Sequence, residues 1–364
     1  MENKSRICII GAGAIGGVLA GVLTREGYHV ELLVRQEELA QKISHRGIKV
    51  KGVCGKFTIP VPTVAKPGDL SGSPDYVLIA TKTDGFLDAA RDILPYLAKE
   101  TKVVSLQNGI CEEMVAEVVG EERTIGCVIG FGSTLHAPGE VEMTSGGEII
   151  IGNWKRESDE QLERLAGILG HVIKTRTTQD ILPELYSKLI VNSCITTLGV
   201  ICGQPLGVML ISRKARTLFI EIAREAMNVA SAMEITVPPG VAGKVDYYKF
   251  LSSGPISGIK RHLLILVFGV KYRKLRSSSL QSLERGRKTE VDIYNGYIDA
   301  KGKKLGVSTP VNAQLTRMIK EIENGTRKIN PRNFDEISYD HDRSFYNWLI
   351  PFLRSSLKWS KLQS

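Results

Sequence analysis

The chain has 364 residues, of which 43% are hydrophobic and 24% charged, enough for two domains whose cores need no covalent staples. Its six cysteines (Cys8, Cys54, Cys111, Cys127, Cys194 and Cys202) include no C-x-x-C pair, and most sit in apolar runs and read as reduced core thiols of a cytoplasmic protein. A formal net charge of +9 points to anionic small molecules, an anionic surface or nucleic acid without choosing among them.

The opening MENKSR runs directly into strand-like residues, so no secretory signal is expected, and no apolar run is expected to span a bilayer. After the short apolar run Arg6 to Ile10 comes Gly11-Ala12-Gly13-Ala14-Ile15-Gly16, then a helical pattern. This is G-x-G-x-x-G between a strand and a helix, the context in which that pattern binds a dinucleotide. Gly11 makes the tight turn, Gly13 lets backbone approach a pyrophosphate, and Gly16 lets helix and strand pack closely. The phosphates then meet the free N–H groups and positive dipole end of the helix.

The stretch from Tyr28 to Val34 reads as the second parallel strand, with Arg35 at its end. An Asp or Glu there holds the ribose hydroxyls of NAD, whereas an Arg suits the 2′-phosphate of NADP, so NADPH is the expected cofactor. Glu31 is the competing acid, but it falls inside the strand. Ile48 to Val61, with Gly52 and Gly55, alternates like a hairpin. Strand character returns before Thr81-Lys82-Thr83 and before Gln107-Asn108-Gly109, which places Lys82 and Asn108 at carboxyl ends of strands, where open α/β sheets bind ligands. Their plain alternatives are a solvated loop lysine and a turn pair.

Further strands are expected over Thr124 to Gly132 and in two arms of a hairpin around Ser145-Gly146-Gly147, followed by a helix from Ser158 to Gly170. The first domain, residues 1–175, is therefore an α/β Rossmann domain. Long helical patterns at 181–203, 212–234, 278–300 and 309–324 then predict an all-helical domain over 176–325, with residues 326–364 as a C-terminal extension.

The segment YSKLIVNSCITTLGVICGQPLG, from Tyr186 to Gly207, is apolar nearly all round except for Lys188, Asn192 and Thr196, which recur every four residues on one side. A lysine in such a buried stripe needs a counter-ion or a chemical task. The structural alternative is an i, i+4 pair with Glu184. Downstream, Ser278 and Gln281 fit a capping box and predict a helix start, where free N–H groups also suit a substrate carboxylate. Glu290 stands among Arg285, Arg287, Lys288 and Asp292, so a charge-paired surface glutamate is its default role.

Taken in order, the glycine motif, Arg35, Lys82, Asn108-Gly109, the K-x-x-x-N helix and the S-x-L-Q…R-x-T-E-x-D-x-x-N-G run resemble the ketopantoate reductases, or 2-dehydropantoate 2-reductases, over roughly residues 5–325. That resemblance implies a Rossmann domain followed by a helical one, with the site in the cleft between them. It implies that Lys188 is the catalytic lysine and Glu290 a glutamate that binds and orients substrate beside the cofactor. It further implies that Asn108 contacts substrate and nicotinamide, that Asn192, Thr196 and Ser278 occupy substrate-binding positions, and that Arg35 and Lys82 lie near the cofactor. The expected reaction is NADPH-dependent reduction of a 2-keto acid, with ketopantoate the leading substrate in pantothenate synthesis. The alternatives are a reductase of another keto acid or an imine, and a non-catalytic NADPH-binding sensor, which would need neither Lys188 nor Glu290. A homodimer is an admissible assembly.

Three features depart from the family pattern. Thr196 stands where the enterobacterial sequences carry a second asparagine. Residues 255–277 hold Lys260, Arg261, Lys271, Arg273, Lys274 and Arg276 with no acid, as a second anion site or as a solvated or intersubunit surface. The tail carries Phe345, Trp348, Leu349, Phe352, Leu353, Leu357 and Trp359 with Arg354, Lys358 and Lys361, a basic amphipathic segment interrupted by Pro351. Docking on its own domain or a partner subunit is its expected role, ahead of peripheral membrane contact. No nucleic acid is expected, because the basic residues form no recognisable module with exposed aromatics, and no metal, because the histidines and cysteines lack ligand spacing.

Overall fold

A computed structural model describes residues 5–252 and 257–339, the side chains at 241 and 242 excepted. The first part of the chain runs β1 (Arg6–Ile10), α1 (Ala14–Arg25), β2 (His29–Leu33), α2 (Glu37–Arg46), β3 (Ile48–Gly52), β4 (Phe57–Ile59), β5 (Thr63–Val64), β6 (Tyr76–Ile79), α3 (Phe86–Ile93), β7 (Lys102–Ser105) and α4 (Glu112–Val119). It continues through β8 (Thr124–Ile129), β9 (Gly132–Ala137), β10 (Glu140–Ser145), β11 (Ile149–Asn153), α5 (Glu160–Gly170) and β12 (Thr175–Thr177).

Eight strands form one sheet in the order β12-β11-β8-β7-β6-β1-β2-β5, parallel throughout except where β11 runs antiparallel to β8. The near-continuous apolar runs of β1, β6 and β8 follow from burial on both faces of a helix-covered parallel sheet. Strand order reverses between β1 and β6, and the carboxyl ends of those two strands open the crevice that holds ligands in such sheets.

A second sheet, β4-β3-β10-β9, covers the outer side of α1. Ile48 to Ile59 forms the expected antiparallel hairpin within it. The hairpin expected around Ser145-Gly146-Gly147 does not form. β10 pairs with β9 in the small sheet, turning at Gly139 (φ 83°), while β11 belongs to the large one. Gly146 and Gly147 carry the chain from one sheet to the other.

The second part is helical: α6 (Leu182–Cys202), α7 (Leu206–Met209), α8 (Arg213–Ala232), α9 (Gly240–Gly243), α10 (Tyr247–Leu251), α11 (Ser257–Lys271), α12 (Ser278–Glu284), α13 (Asn295–Leu305) and α14 (Pro310–Glu323). Contrary to the expectation from sequence, α6 is long and apolar enough to cross a membrane, but most of it is buried as the central helix of this domain. Tyr186 anchors it to α8 by donating to the Ala226 carbonyl at 2.8 Å. Glu225 on α8 caps α14, accepting from the Val311 and Asn312 amides at 2.8 and 2.9 Å. That is the placement a helix N-terminus favours for a carboxylate.

The single helix expected over 278–300 is broken in two. Gly286, at φ 68°, stops α12; its amide bonds to the Leu283 carbonyl and the Arg287 amide to the Ser282 carbonyl, both at 2.9 Å. This closure satisfies the carbonyls left free at a helix end, and only glycine adopts the conformation at little cost. The chain then runs irregularly through Glu290 to a 3-10 turn at Val291–Ile293 before α13 begins. The capping serine is Ser277, whose hydroxyl accepts from the Leu280 amide at 3.1 Å; Ser278 is the first helical residue.

Beyond α14, residues 331–336 form a 3-10 segment whose Phe334, with Ile337, is buried against α6 and its neighbours. The apolar residues of the tail from Phe345 onward lie outside the described residues, as do residues 1–4 and 253–256.

Candidate active site

At the switch point, Gly11 adopts φ 109°, and its amide bonds to the Leu33 carbonyl at 2.9 Å, tying the turn to the end of β2. A Cβ on Gly16 would fall 2.0 Å from the Gly11 carbonyl oxygen, so α1 can pack onto the turn only with glycine there. Gly13 caps α1 without a side-chain bond, and a Cβ on it would meet nothing nearer than 3.9 Å. The first-turn amides are thus left open to an anion, which fits a dinucleotide pyrophosphate.

Ala12, Ala14, Arg35, Lys82 and Ser278 line a cleft of about 610 Å³ above this turn. Ile15 and Gly16 do not line it; Ile15 packs on the Rossmann core behind. Arg35 is exposed at its edge, with Nη2 donating to the Gly85 carbonyl at 3.2 Å. Glu31 points elsewhere, accepting from the Ser71 amide at 3.1 Å and its hydroxyl at 2.8 Å. Across the cleft stand Arg285 and Arg287, which the sequence reading treated only as neighbours of Glu290.

The two domains are fastened at this cleft. Lys82 Nζ donates to Ser282 Oγ of α12 at 2.8 Å, across 200 positions of sequence. Gln107, buried, holds the loop after β7 to the loop after β6 by donating to the Ile79 and Thr81 carbonyls, each at 2.9 Å. Gly109 approaches so near the Val291–Ile293 turn that a Cβ there would lie 2.8 Å from the Ile293 carbonyl oxygen. Asn108 therefore faces the segment that carries Glu290. The Tyr294 hydroxyl donates to Glu290 Oε2 at 2.8 Å and also meets the Asn108 side chain.

Lys188 projects from α6 toward this cluster, and Nζ donates to the Ile129 carbonyl at the end of β8, 2.8 Å away. The Glu184 pairing does not occur, because Glu184 is taken by Arg176 of β12 at 2.7 Å. Burial lowers the Lys188 pKa to about 8, against the opposing pull of Cys127, Glu290 and Glu112. One and two turns along the same face are Asn192, half-buried, and Thr196, buried.

Two groups near Lys188 escaped the sequence reading. Tyr294 is fully buried, and burial together with Glu290 raises its hydroxyl well above the usual range. Glu112 is 0% exposed, and burial raises it to about 8 even though the backbone amides of Glu112, Cys127 and Cys111, and after them the Lys188 charge, pull the other way. In sequence, Glu112 is one of two acids opening a helix, where the dipole alone would explain it.

A dinucleotide cradle facing a helical domain across an enclosed lysine defines a nicotinamide-dependent oxidoreductase. More narrowly, residues 7–156 match the family model Ketopantoate reductase PanE/ApbA and residues 180–323 its C-terminal counterpart, so the chain belongs to the ketopantoate reductase family of 2-keto acid reductases. It is 30% identical over 322 residues to the 2-dehydropantoate 2-reductase of Aquifex aeolicus, an alignment that spans 87% of this chain and 97% of that one. The crystal structure of 2-dehydropantoate 2-reductase from Geobacter metallireducens superposes with a TM-score of 0.74 at 26% identity, over 87% of this chain and 99% of that one. A ternary structure of D-mandelate dehydrogenase with NADH and anilino(oxo)acetate shares the fold, with a TM-score of 0.72 at 24% identity over 88% and 98% of the two chains.

Proposed function

We propose that this chain reduces ketopantoate to pantoate with NADPH, and that Lys188 is its proton donor. The observation that carries this reading is the enclosed Lys188 ammonium between the end of β8 and the Asn108–Glu290–Tyr294 cluster, at the meeting of the two domains. The glycine turn, Arg35 and Lys82 would hold the cofactor. Arg35, and not an acid, follows β2, which is the basis for choosing NADPH over NADH. Bound there, the nicotinamide supplies hydride to the carbonyl carbon of the substrate.

The chain's own residues supply the rest. The Lys188 ammonium, hydrogen-bonded to the keto oxygen, stabilises the alkoxide that develops and gives it a proton. Glu290 keeps the lysine charged and, with Asn108, orients the substrate. Asn192, Thr196 and Ser278 would contact the rest of the substrate, Ser278 from the wall of the cleft.

The test is the steady-state loss of NADPH absorbance with ketopantoate beside a panel of other 2-keto acids, with KM measured for both NADPH and NADH. Efficient turnover of ketopantoate and a lower KM for NADPH are expected. Turnover of a different acid would keep the mechanism and replace the substrate. A preference for NADH would remove Arg35 from its role, and tight NADPH binding without turnover would replace the enzyme by a sensor.

A further inference from the structure

Against α6 lies a second cavity, of about 210 Å³, which shares no lining residue with the cofactor cleft. Its walls are Val191 and Cys194 of α6, Phe219 and Ala223 of α8, Phe250 of α10 and Ile265 of α11. Among the described residues no carboxylate lines it, and the charged groups at its mouth are Lys244 and Lys271. The outer stripe of α11 is apolar as well: Leu263, Leu264, Val267 and Val270 are each more than half exposed. A contiguous apolar surface of this kind marks a contact site.

The mouth is strongly cationic. Residues 247–283 contain no aspartate or glutamate. An open groove shares Lys244, Val245, Phe250 and Leu264 with the cavity and continues past Lys249, Lys260 and Arg261. Among the described residues that line it Asp246 is the single acid, pairing with Lys249 at 3.3 Å, and Glu221 of α8 acts on Arg261 from nearby. Arg261 gives Nη1 to the Leu251 and Ser252 carbonyls, yet its Nε is buried without a partner. A second copy of this face would bring its own Lys244, Lys260 and Lys271 to a surface that already carries them, so the charge calls for an anion. The cavity calls for an apolar chain, and at this volume a slim unbranched one.

We propose that the cavity between α6, α8 and α11 binds an acyl-chain anion, the chain inside and the anionic head on the lysines at the mouth. This site is independent of the reductase reading. Its consequence is a ligand held against the helix that carries Lys188 and Asn192.

The test is isothermal titration of the full chain with sodium hexanoate, octanoate and decanoate below their micelle concentrations, beside co-sedimentation with phosphatidylglycerol vesicles. One molecule should bind per chain, about fourfold more tightly per added methylene until the cavity is full. Ala223→Phe, which fills the cavity, should weaken decanoate at least tenfold. Val267→Glu, a change at a 58% exposed position that leaves the core intact, should do likewise by placing a carboxylate at the mouth. Absence of saturable binding would overturn the proposal, as would affinities indifferent to both variants. Co-sedimentation with vesicles and no decanoate binding would assign the face to a lipid surface instead. A dimer that Val267→Glu splits into monomers, again without decanoate binding, would assign it to a second copy.

Discussion

Lys188 and Glu112 illustrate how the same burial acts on opposite charges. Lowered to about 8, Lys188 is still largely protonated at neutral pH. As proton donor it acts only when charged, so kcat/KM for keto-acid reduction should be level at low pH and fall above about pH 8 in a pH-rate profile. Lys188→Ala should lower kcat by at least two orders of magnitude in steady-state assays; a loss within about tenfold would end its assignment as donor. Glu112, raised to about 8, takes up a proton on folding between its ordinary pKa and that value. The unfolded chain binds fewer protons across that window, so stability falls as pH rises from about 4.5 to 8. Glu112→Gln should therefore flatten the decline of Tm between pH 5 and pH 8, measured by differential scanning calorimetry.

Among the elements, the break after α12 does the most for the site. A continuous helix would carry Glu290 along its own axis, whereas the stop at Gly286 swings the chain inward. Thr289 is then held to Glu323 of α14 by its amide and its hydroxyl, both at 2.7 Å. A Cβ on Gly286 meets nothing within 4 Å, so Gly286→Ala costs only the backbone strain of a left-handed residue, about 1 kcal/mol. The expected outcome is a small drop in Tm with a raised KM for the keto acid, because Glu290 sits four residues on. An unchanged KM would show that Glu290 is placed by its tertiary partners alone. α6 works in the other direction: its unbroken length spaces Lys188, Asn192 and Thr196 along one face.

For the whole molecule, the cleft is kept in shape by contacts that cross between the domains. Besides Lys82 with Ser282, Glu113 on α4 accepts from Tyr297 at 3.1 Å and pairs with Lys301 at 2.9 Å, both on α13. The helical core also extends past residue 325, where Phe334 and Ile337 are 4% and 2% exposed and Asn333 donates to the Ile201 carbonyl at 3.2 Å. A chain ending at 325 should lose about 3–5 kcal/mol from Phe334 alone relative to one ending at 339, read as a lower denaturant midpoint. Equal midpoints for the two would mean that this segment contributes no stability.

Much of this was legible in one dimension. G-x-G-x-x-G between a strand and a helix, Arg35 after the second strand and the four-residue spacing of Lys188, Asn192 and Thr196 are local patterns, and local geometry translates them into a turn, a strand end and a helix face. What the sequence could not contain was set by partners far along the chain. Arg176, not Lys188, is what Glu184 meets, because β12 brings Arg176 beside α6. Ser145 to Gly147 crosses between two sheets because β10 pairs with β3 and β9 while β11 pairs with β8 and β12. Glu112 and Tyr294 become site groups only when α4 and the turn before α13 close on α6. The sequence by itself determined the Rossmann and helical domains and the polar stripe of α6; the tertiary structure decided which charges are enclosed together, because burial and pairing depend on distances that no spacing along the chain encodes.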